Sequence, residues 1–534
     1  MSRLERLFAV ACLLAGVSRG AAAEKPLVVR ALPGAEAVPV RLPDGVLQVY
    51  YLQTGGERES IAAIASTDGG RTWGPPVTVL PIEGRHRVVR ALVADDGEVH
   101  LFLLKWRDGH RFLDVWHVRS REGRRRWGEP ARIFEGYVGS LRGAAQLRGG
   151  RILLPIHYRT DRSWRNRGEG LAGFLYKGQF DITALHTDDG GASWRRSPAR
   201  LTVPAGAIPD QGGVEPVVLE LRDGRIWMLI RSQRGLLYES FSRDGVAWTE
   251  PQPSRFVGSD SPAALARLRD GRIVVAWNGC QRYPYAMGGR QVLHAAISED
   301  EGKTWRGFRE VYRDPARDQP PPRVGDYGTG YPAAVEATDG RLLLATGQGP
   351  SGALILVDCA WLYERRQVED FGNGLDAWSV FGTRGVSLAP HPVREGARVL
   401  ALDAPDPEWT AAAVWNFPSG RRGRLRLRLL ATQAAGPLLS LTDHFSVPFD
   451  DEAELESLWS VRLAEILRAG AWHDLEIEWD VDTGGCRLRV DGADTGVLRA
   501  QRRATEGASY LRLRLPAAEG PRLPPASGSS ASRR

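Results

Sequence analysis

One short motif recurs four times and constrains this chain more than any other feature. Residues 66–73 read Ser-Thr-Asp-Gly-Gly-Arg-Thr-Trp, 187–194 Thr-Asp-Asp-Gly-Gly-Ala-Ser-Trp, 242–248 Ser-Arg-Asp-Gly-Val-Ala-Trp and 298–305 Ser-Glu-Asp-Glu-Gly-Lys-Thr-Trp. A recurrent unit implies a recurrent architecture. A hydroxyl, an Asp, a Gly and a Trp at nearly fixed offsets suit a tight turn. The Asp accepts from nearby backbone N–H groups, the Gly takes the positive-φ position, and the Trp fastens the turn to its sheet. A degraded fifth copy occupies 120–127, where Ser120, an acidic residue and Trp127 persist. These motifs read as structural turns rather than catalytic sites.

A second periodic element lies between them. Two β-runs flank Asp-Gly or Gly-Gly at 44–45, 96–97, 149–150, 223–224, 270–271 and 339–340, the pattern of a hairpin with a two-residue turn. Six hairpins predict six sheets. A third strand runs into each Trp turn and a short fourth strand follows, so each sheet has four strands. Radial repetition of four-stranded sheets gives a six-bladed β-propeller, here over residues 25–366. The sixth unit lacks a Trp turn, and the segment 26–32 is expected to supply its outer strand. Long alternating strands near 422–430, 475–481 and 487–490 then predict a second all-β domain over 367–515. Within it the stretch 470–492 resembles the jelly-roll β-sandwich of lectin-like laminin-G and concanavalin modules. Residues 516–534, rich in Pro, Ser, Ala and Arg, lack the apolar content for a core and are expected to be disordered.

The length of 534 residues, with 43% hydrophobic and 25% charged content, fits a soluble globular protein of two domains. Residues 1–23 read as a signal peptide. Arg3 and Arg6 form a basic start, the apolar stretch 7–17 is too short to span a bilayer, and Ala21 to Ala23 offer a small-residue cleavage site. The expected location is therefore secreted or periplasmic, with no membrane span. Cys280, Cys359 and Cys486 are scattered, allow one bridge at most, and read as buried small hydrophobes. They do not have the spacing of a metal site, and no cofactor is implied. The net charge of +7 suits an anionic ligand, while the basic runs 124–126 and 421–428 read as solvated faces. No nucleic-acid motif is present.

Strand order selects the functional end of the ring. The hairpins and the Trp turns lie at one end of every sheet, so the other end is free for chemistry. It gathers the starts of first strands, the ends of second strands and the starts of third strands. Arg87, Arg90, Arg142, His157, Glu215, Arg231, Asp260, Arg290 and Tyr331 fall there, with Glu57 and Glu59 in the first unit. Several arginines, carboxylates and tyrosines converging on one funnel suit a site that grips an acidic ligand.

The four Trp turns resemble the Asp boxes of the sialidase (neuraminidase) superfamily, a six-bladed propeller with its site in this funnel. The segment 215–231, beginning Glu-Pro-Val-Val and ending Leu-Ile-Arg, resembles the sialidase segment that carries the glutamate activating the nucleophile and a carboxylate-binding arginine. The resemblance gives these roles to Glu215 and Arg231. Segment 290–298 is similar to the one carrying another arginine of the family's triad, here Arg290. Segment 331–340 resembles the one that begins with the nucleophilic tyrosine, here Tyr331. Two departures stand out. Ala37-Val-Pro39 lacks the arginine expected in the first blade, for which Arg87, Arg90 or Arg142 are candidate replacements. The first-blade aspartate that serves as acid/base is also missing, with Glu57 or Glu59 as candidates. The resemblance implies an exported exo-alpha-sialidase-type glycoside hydrolase acting on acidic glycans or glycoconjugates with retention. The departures keep open a hydrolase of a different acidic glycan and a non-catalytic glycan-binding protein.

Overall fold

The computed structural model describes residues 8–12, 23–34, 36–54, 59–107, 112–159, 180–204, 211–280, 289–319, 327–338, 340–380, 385–403, 411–431, 436–448, 455–504 and 506–515. The first sheet pairs Val38–Arg41, Leu47–Gln53, Ser60–Ser66 and Val77–Pro81 in sequence order, all antiparallel. Five further sheets repeat this plan. Their second and third strands are largely buried, and Ile152–Arg159 and Phe180–Thr187 are buried at every residue. Both faces of each sheet are covered by neighbours, and these segments therefore read as apolar runs rather than alternations.

Six apolar cores close the ring. Consecutive sheets share one core each: first and second around Val38 and Leu101, second and third around Phe102 and Leu154, third and fourth around Leu153 and Met228. The fourth and fifth meet around Leu229 and Val275, the fifth and sixth around Val274 and Leu344. Leu343 and Leu354 of the sixth then pack with Leu47 and Val49 of the first. The sixth sheet takes Leu27–Ala31 as its outer strand, paired with Ala353–Asp358, as the sequence leads one to expect.

Five of the hairpins differ from expectation in one respect. Leu42 N donates to Val46 O at 2.9 Å and Gly45 N to Leu42 O at 2.9 Å, so the loop is the three residues Pro43, Asp44 and Gly45. The same pattern recurs at Gly97, Gly150, Gly224 and Gly271. Only the glycine has positive φ, 88° at Gly45, which excludes the two-residue turn that needs two such residues. This is a type I turn with a bulge glycine. The aspartates stay useful, as Asp44 Oδ1 accepts from Val46 N at 3.1 Å.

The Trp turns form as read. In the fourth, Ser298 Oγ donates to Asp300 at 2.9 Å, Thr304 N and Oγ1 donate to the same carboxylate at 2.8 and 2.6 Å, and Trp305 Nε1 donates to Gly302 O at 3.0 Å. In the degraded fifth copy, Ser120 Oγ donates instead to Glu98, just before the neighbouring strand Val99–Arg107.

Residues 367–515 build two facing sheets around one core that includes Trp378, Trp415, Leu427, Trp459 and Ile477. Along Arg422–Ala431 the leucines at 425, 427 and 429 point inward. Arg426 pairs outward with Glu476 at 2.7 Å, and Arg424 with Glu478, so the basic run 421–428 is an ion-paired face. Phe8–Cys12, inside the segment read as a signal, forms a strand of this sheet between Arg398–Leu402 and Arg422–Ala431. Cys280, Cys359 and Cys486 are buried and free, and burial pushes the Cys359 and Cys486 thiols up to about 12.

The sandwich abuts the fifth sheet. Tyr510 hydrogen-bonds the His294 ring and donates to Glu310 Oε1 at 2.8 Å, while Glu310 N donates to Asn416 Oδ1 at 3.0 Å. Among the described residues no helix is long and apolar enough to cross a membrane.

Candidate active site

The start of the inner strand supplies a polar side chain in nearly every sheet. Glu36 precedes Val38–Arg41, Arg142 precedes Ala145–Gln146, Glu215 opens Val214–Glu220, Asp260 precedes Ala264–Arg267 and Tyr331 precedes Ala333–Thr338. Arg90 comes from within His86–Val93. Arg231 ends the second strand of the fourth sheet, and Arg290 precedes the third strand of the fifth. Glu36, Glu215 and Tyr331 have φ of 51°, 51° and 64°. Left-handed backbone costs a side chain of this size about 1–3 kcal/mol, a strain that clusters at functional sites.

Arg231 is the hub. Its Nη1 donates to Glu215 Oε2 at 2.5 Å and to Tyr331 Oη at 3.4 Å, and its Nε donates to Asp260 Oδ1 at 2.5 Å. Gln233 Nε2 holds the other Asp260 oxygen at 2.7 Å, and Arg290 Nη2 donates to the Asp260 carbonyl at 2.6 Å. Three guanidiniums surround the Tyr331 ring, Arg142 and Arg290 at 5.0 Å from its centroid and Arg231 at 5.9 Å. All of these residues but the half-buried Gln233 are buried.

A second ion cluster adjoins the first. Glu36 Oε2 accepts from Arg90 Nη2 at 2.8 Å and from Arg142 Nη1 at 2.9 Å, and the Glu36 carbonyl accepts from Arg90 Nη1 at 2.9 Å. Arg142 Nη2 also donates to the Pro332 carbonyl at 3.3 Å.

Burial raises the Glu215 carboxyl, but Arg231, Arg142 and His157 outweigh it and hold the group down at about 2. It is a carboxylate at any ordinary pH, free of a proton of its own. Burial lowers His157 to about 4. The ring is thus neutral near neutrality and its Nδ1 accepts from Glu215 N at 3.1 Å. Burial and the neighbouring Arg142 charge lower Arg90 to about 9, against the pull of Glu36. For Arg231 burial works against the charge, yet Asp260 and Glu215 raise it well above the ordinary arginine value.

The structure therefore brings Tyr331, Glu215, Arg231, Arg290 and Arg142 together, with Arg90 one contact further out. Arg87 is exposed and close enough for its charge to act on His157. Glu59 is engaged elsewhere, accepting from His86 N at 2.7 Å and the His86 ring at 3.2 Å. Glu57 lies outside the described residues. Sequence reasoning missed Glu36. It stands immediately before Ala37-Val-Pro39, where the absent arginine was sought, so a search for basic residues passes over it. Among the described residues no group of three or more His, Cys, Asp or Glu could hold a metal ion.

The BNR repeat-like domain family matches residues 60–344, more than half of the chain. Three solved structures are similar. A Hadza microbial sialidase, Hz136, aligns at 16% identity over 60% of this chain and 64% of its own, with a TM-score of 0.44, so this chain spans less than two thirds of that protein. A Trypanosoma rangeli sialidase in complex with 2,3-difluorosialic acid aligns at 13% identity over 91% and 88%, with a TM-score of 0.43. The NanB sialidase from Streptococcus pneumoniae aligns at 12% identity over 64% and 71%, with a TM-score of 0.45. No curated protein matches.

Proposed function

This chain belongs to the BNR repeat-like domain family, and from that premise we propose that it is a retaining glycoside hydrolase of the sialidase type that releases a terminal sialic or related acidic sugar. The contact that carries this reading is Arg231 Nη1, which touches both Glu215 and Tyr331. A sugar with a carboxylate on its anomeric carbon repels an anionic nucleophile, and a neutral phenol avoids that repulsion. Tyrosine is the recognised exception among glycosidase nucleophiles. In the first step Tyr331 Oη bonds to the anomeric carbon while its proton passes to Glu215. The glycosidic C–O bond breaks, and a carboxylic acid, for which the sequence offers Glu57, protonates the departing oxygen. Water then attacks the anomeric carbon and gives its proton to the carboxylate that protonated the departing oxygen, the Tyr–sugar bond breaks, and the phenol recovers its proton from Glu215. Arg231 and Arg290 bind the sugar carboxylate.

The reading places the mature protein outside the cytoplasm, acting on acidic glycans or glycoconjugates. The test is release of free sugar acid from a mixture of acidic glycans by the wild type and by Tyr331→Phe. Loss of release in the variant supports the mechanism; equal release by a folded variant removes it. Glycan binding with no turnover across pH 4 to 8 replaces the hydrolase reading with a glycan-binding one. Glu36 beside the missing arginine favours a second reading, a hydrolase of a different acidic sugar, and release of a non-sialic acid from the same mixture would establish it.

A further inference from the structure

The guanidiniums around Tyr331 fall into two kinds. Arg231 and Arg290 interact through Asp260, which one holds by its carboxylate and the other by its carbonyl. Arg142 belongs instead to the ion cluster of the first three sheets. One nitrogen is spent on Glu36 and another on the Pro332 carbonyl, and its side chain has no exposed surface. Glu36 receives Arg90 on the same oxygen and is 13% exposed.

We propose that Arg142, locked by Glu36 and Arg90, is a positioning residue for the Tyr331 phenol, and that the substrate's acid group is left to Arg231 and Arg290. This rests on the reading of Tyr331 as nucleophile. The geometry supports it at three points. Arg142 stands over the Tyr331 ring at 5.0 Å and binds the carbonyl of the very next residue, so it fixes both the ring and its backbone. Tyr331 has left-handed backbone and needs such a restraint. The Glu36 carboxylate offsets one of the two charges of Arg90 and Arg142 and holds one nitrogen of each, so Arg142 is fixed in place beside the ring. A guanidinium over an aromatic face also favours the phenolate over the phenol. Glu36 thus turns the place of a missing substrate-binding arginine into a support for the nucleophile.

The test compares Arg142→Met, Glu36→Gln and Arg290→Met in the full chain. The readouts are kcat and KM on an aryl sialoside across pH, ultraviolet titration of the Tyr331 phenol against Tyr331→Phe, and calorimetric binding of N-acetylneuraminic acid. Arg142→Met is expected to lower kcat about 100-fold with KM within about 3-fold, and to move the phenol titration to higher pH. Glu36→Gln removes a negative charge and is expected to move it to lower pH. Arg290→Met is expected to weaken sugar-acid binding about 10-fold or more. The proposal falls if Arg142→Met weakens sugar-acid binding to that degree while the phenol titration stays in place. Arg142→Lys, which keeps a cation by the ring, should recover the titration and part of kcat, and it replaces Arg142→Met if that variant does not fold. A wild type inactive on every acidic glycoside would remove the hydrolase reading, while the titration and binding arms would still decide what Arg142 does.

Discussion

Arg231 Nη1 lies 2.5 Å from the Glu215 carboxylate and 3.4 Å from the Tyr331 hydroxyl. One guanidinium thus holds both ends of the proposed proton transfer. Glu215→Gln, which keeps the shape and removes the acceptor, is expected to lower kcat about 100- to 10,000-fold while KM changes far less. Steady-state kinetics on an aryl sialoside, with circular dichroism to verify folding, checks this.

Asp260 stabilises Arg231 without a direct contact to Tyr331 among the bonds described. Asp260→Ala leaves a buried guanidinium short of one partner and is expected to cost about 3–5 kcal/mol. Denaturant unfolding should show a lower midpoint, and kinetics should show a raised KM as Arg231 loses its orientation.

Acid should weaken the site in a defined window. The folded carboxyl of Glu215 lies below its ordinary 4.5, at about 2, so its stabilising contribution is present above pH 4.5. That contribution fades as pH falls toward 2, because protonation must displace Arg231. Thermal melts from pH 5 down to 2 should fall less steeply in Glu215→Gln than in the wild type.

The Trp turns are separable from catalysis. Asp300→Ala removes the acceptor for Ser298 and Thr304 and is expected to cost about 1–2 kcal/mol. Calorimetry should register the loss while KM stays the same, since the turn lies at the opposite end of its sheet from Arg290.

The seam between ring and sandwich depends on Tyr510. Burial, with the Glu310 charge behind it, holds the phenol protonated far beyond its ordinary range, and burial lowers His294 to about 4. Tyr510→Phe strands both partners and is expected to cost about 1–3 kcal/mol. Differential scanning calorimetry should then resolve two transitions if the seam is what couples the two units.

What the sequence made legible was local. Asp300 and Trp305 sit five residues apart, and their turn needs nothing from the rest of the chain. The hairpin glycines were equally plain, although the turn class was not, because a three-residue loop ending in Gly45 and a two-residue loop both carry Asp-Gly. Glu215, Arg231 and Tyr331 were found through segment resemblance. The Glu36, Arg90 and Arg142 cluster was hidden because its members come from three sheets and are linked only by closure of the ring. Glu59 was chosen for its residue type, and its capture by His86 depends on a strand 27 positions away.

The strand Leu27–Ala31 completes a sheet whose other members emerge more than 300 residues later. During synthesis it must therefore stay unpaired while five blades assemble, and the circle can shut only after Ala353–Asp358 has been made. Because Glu36 lies just beyond that strand while Tyr331 lies in the last blade, the ends of the pocket come together only at that final step. A nascent chain cannot bring Glu36 and Tyr331 to one pocket until the ring is finished.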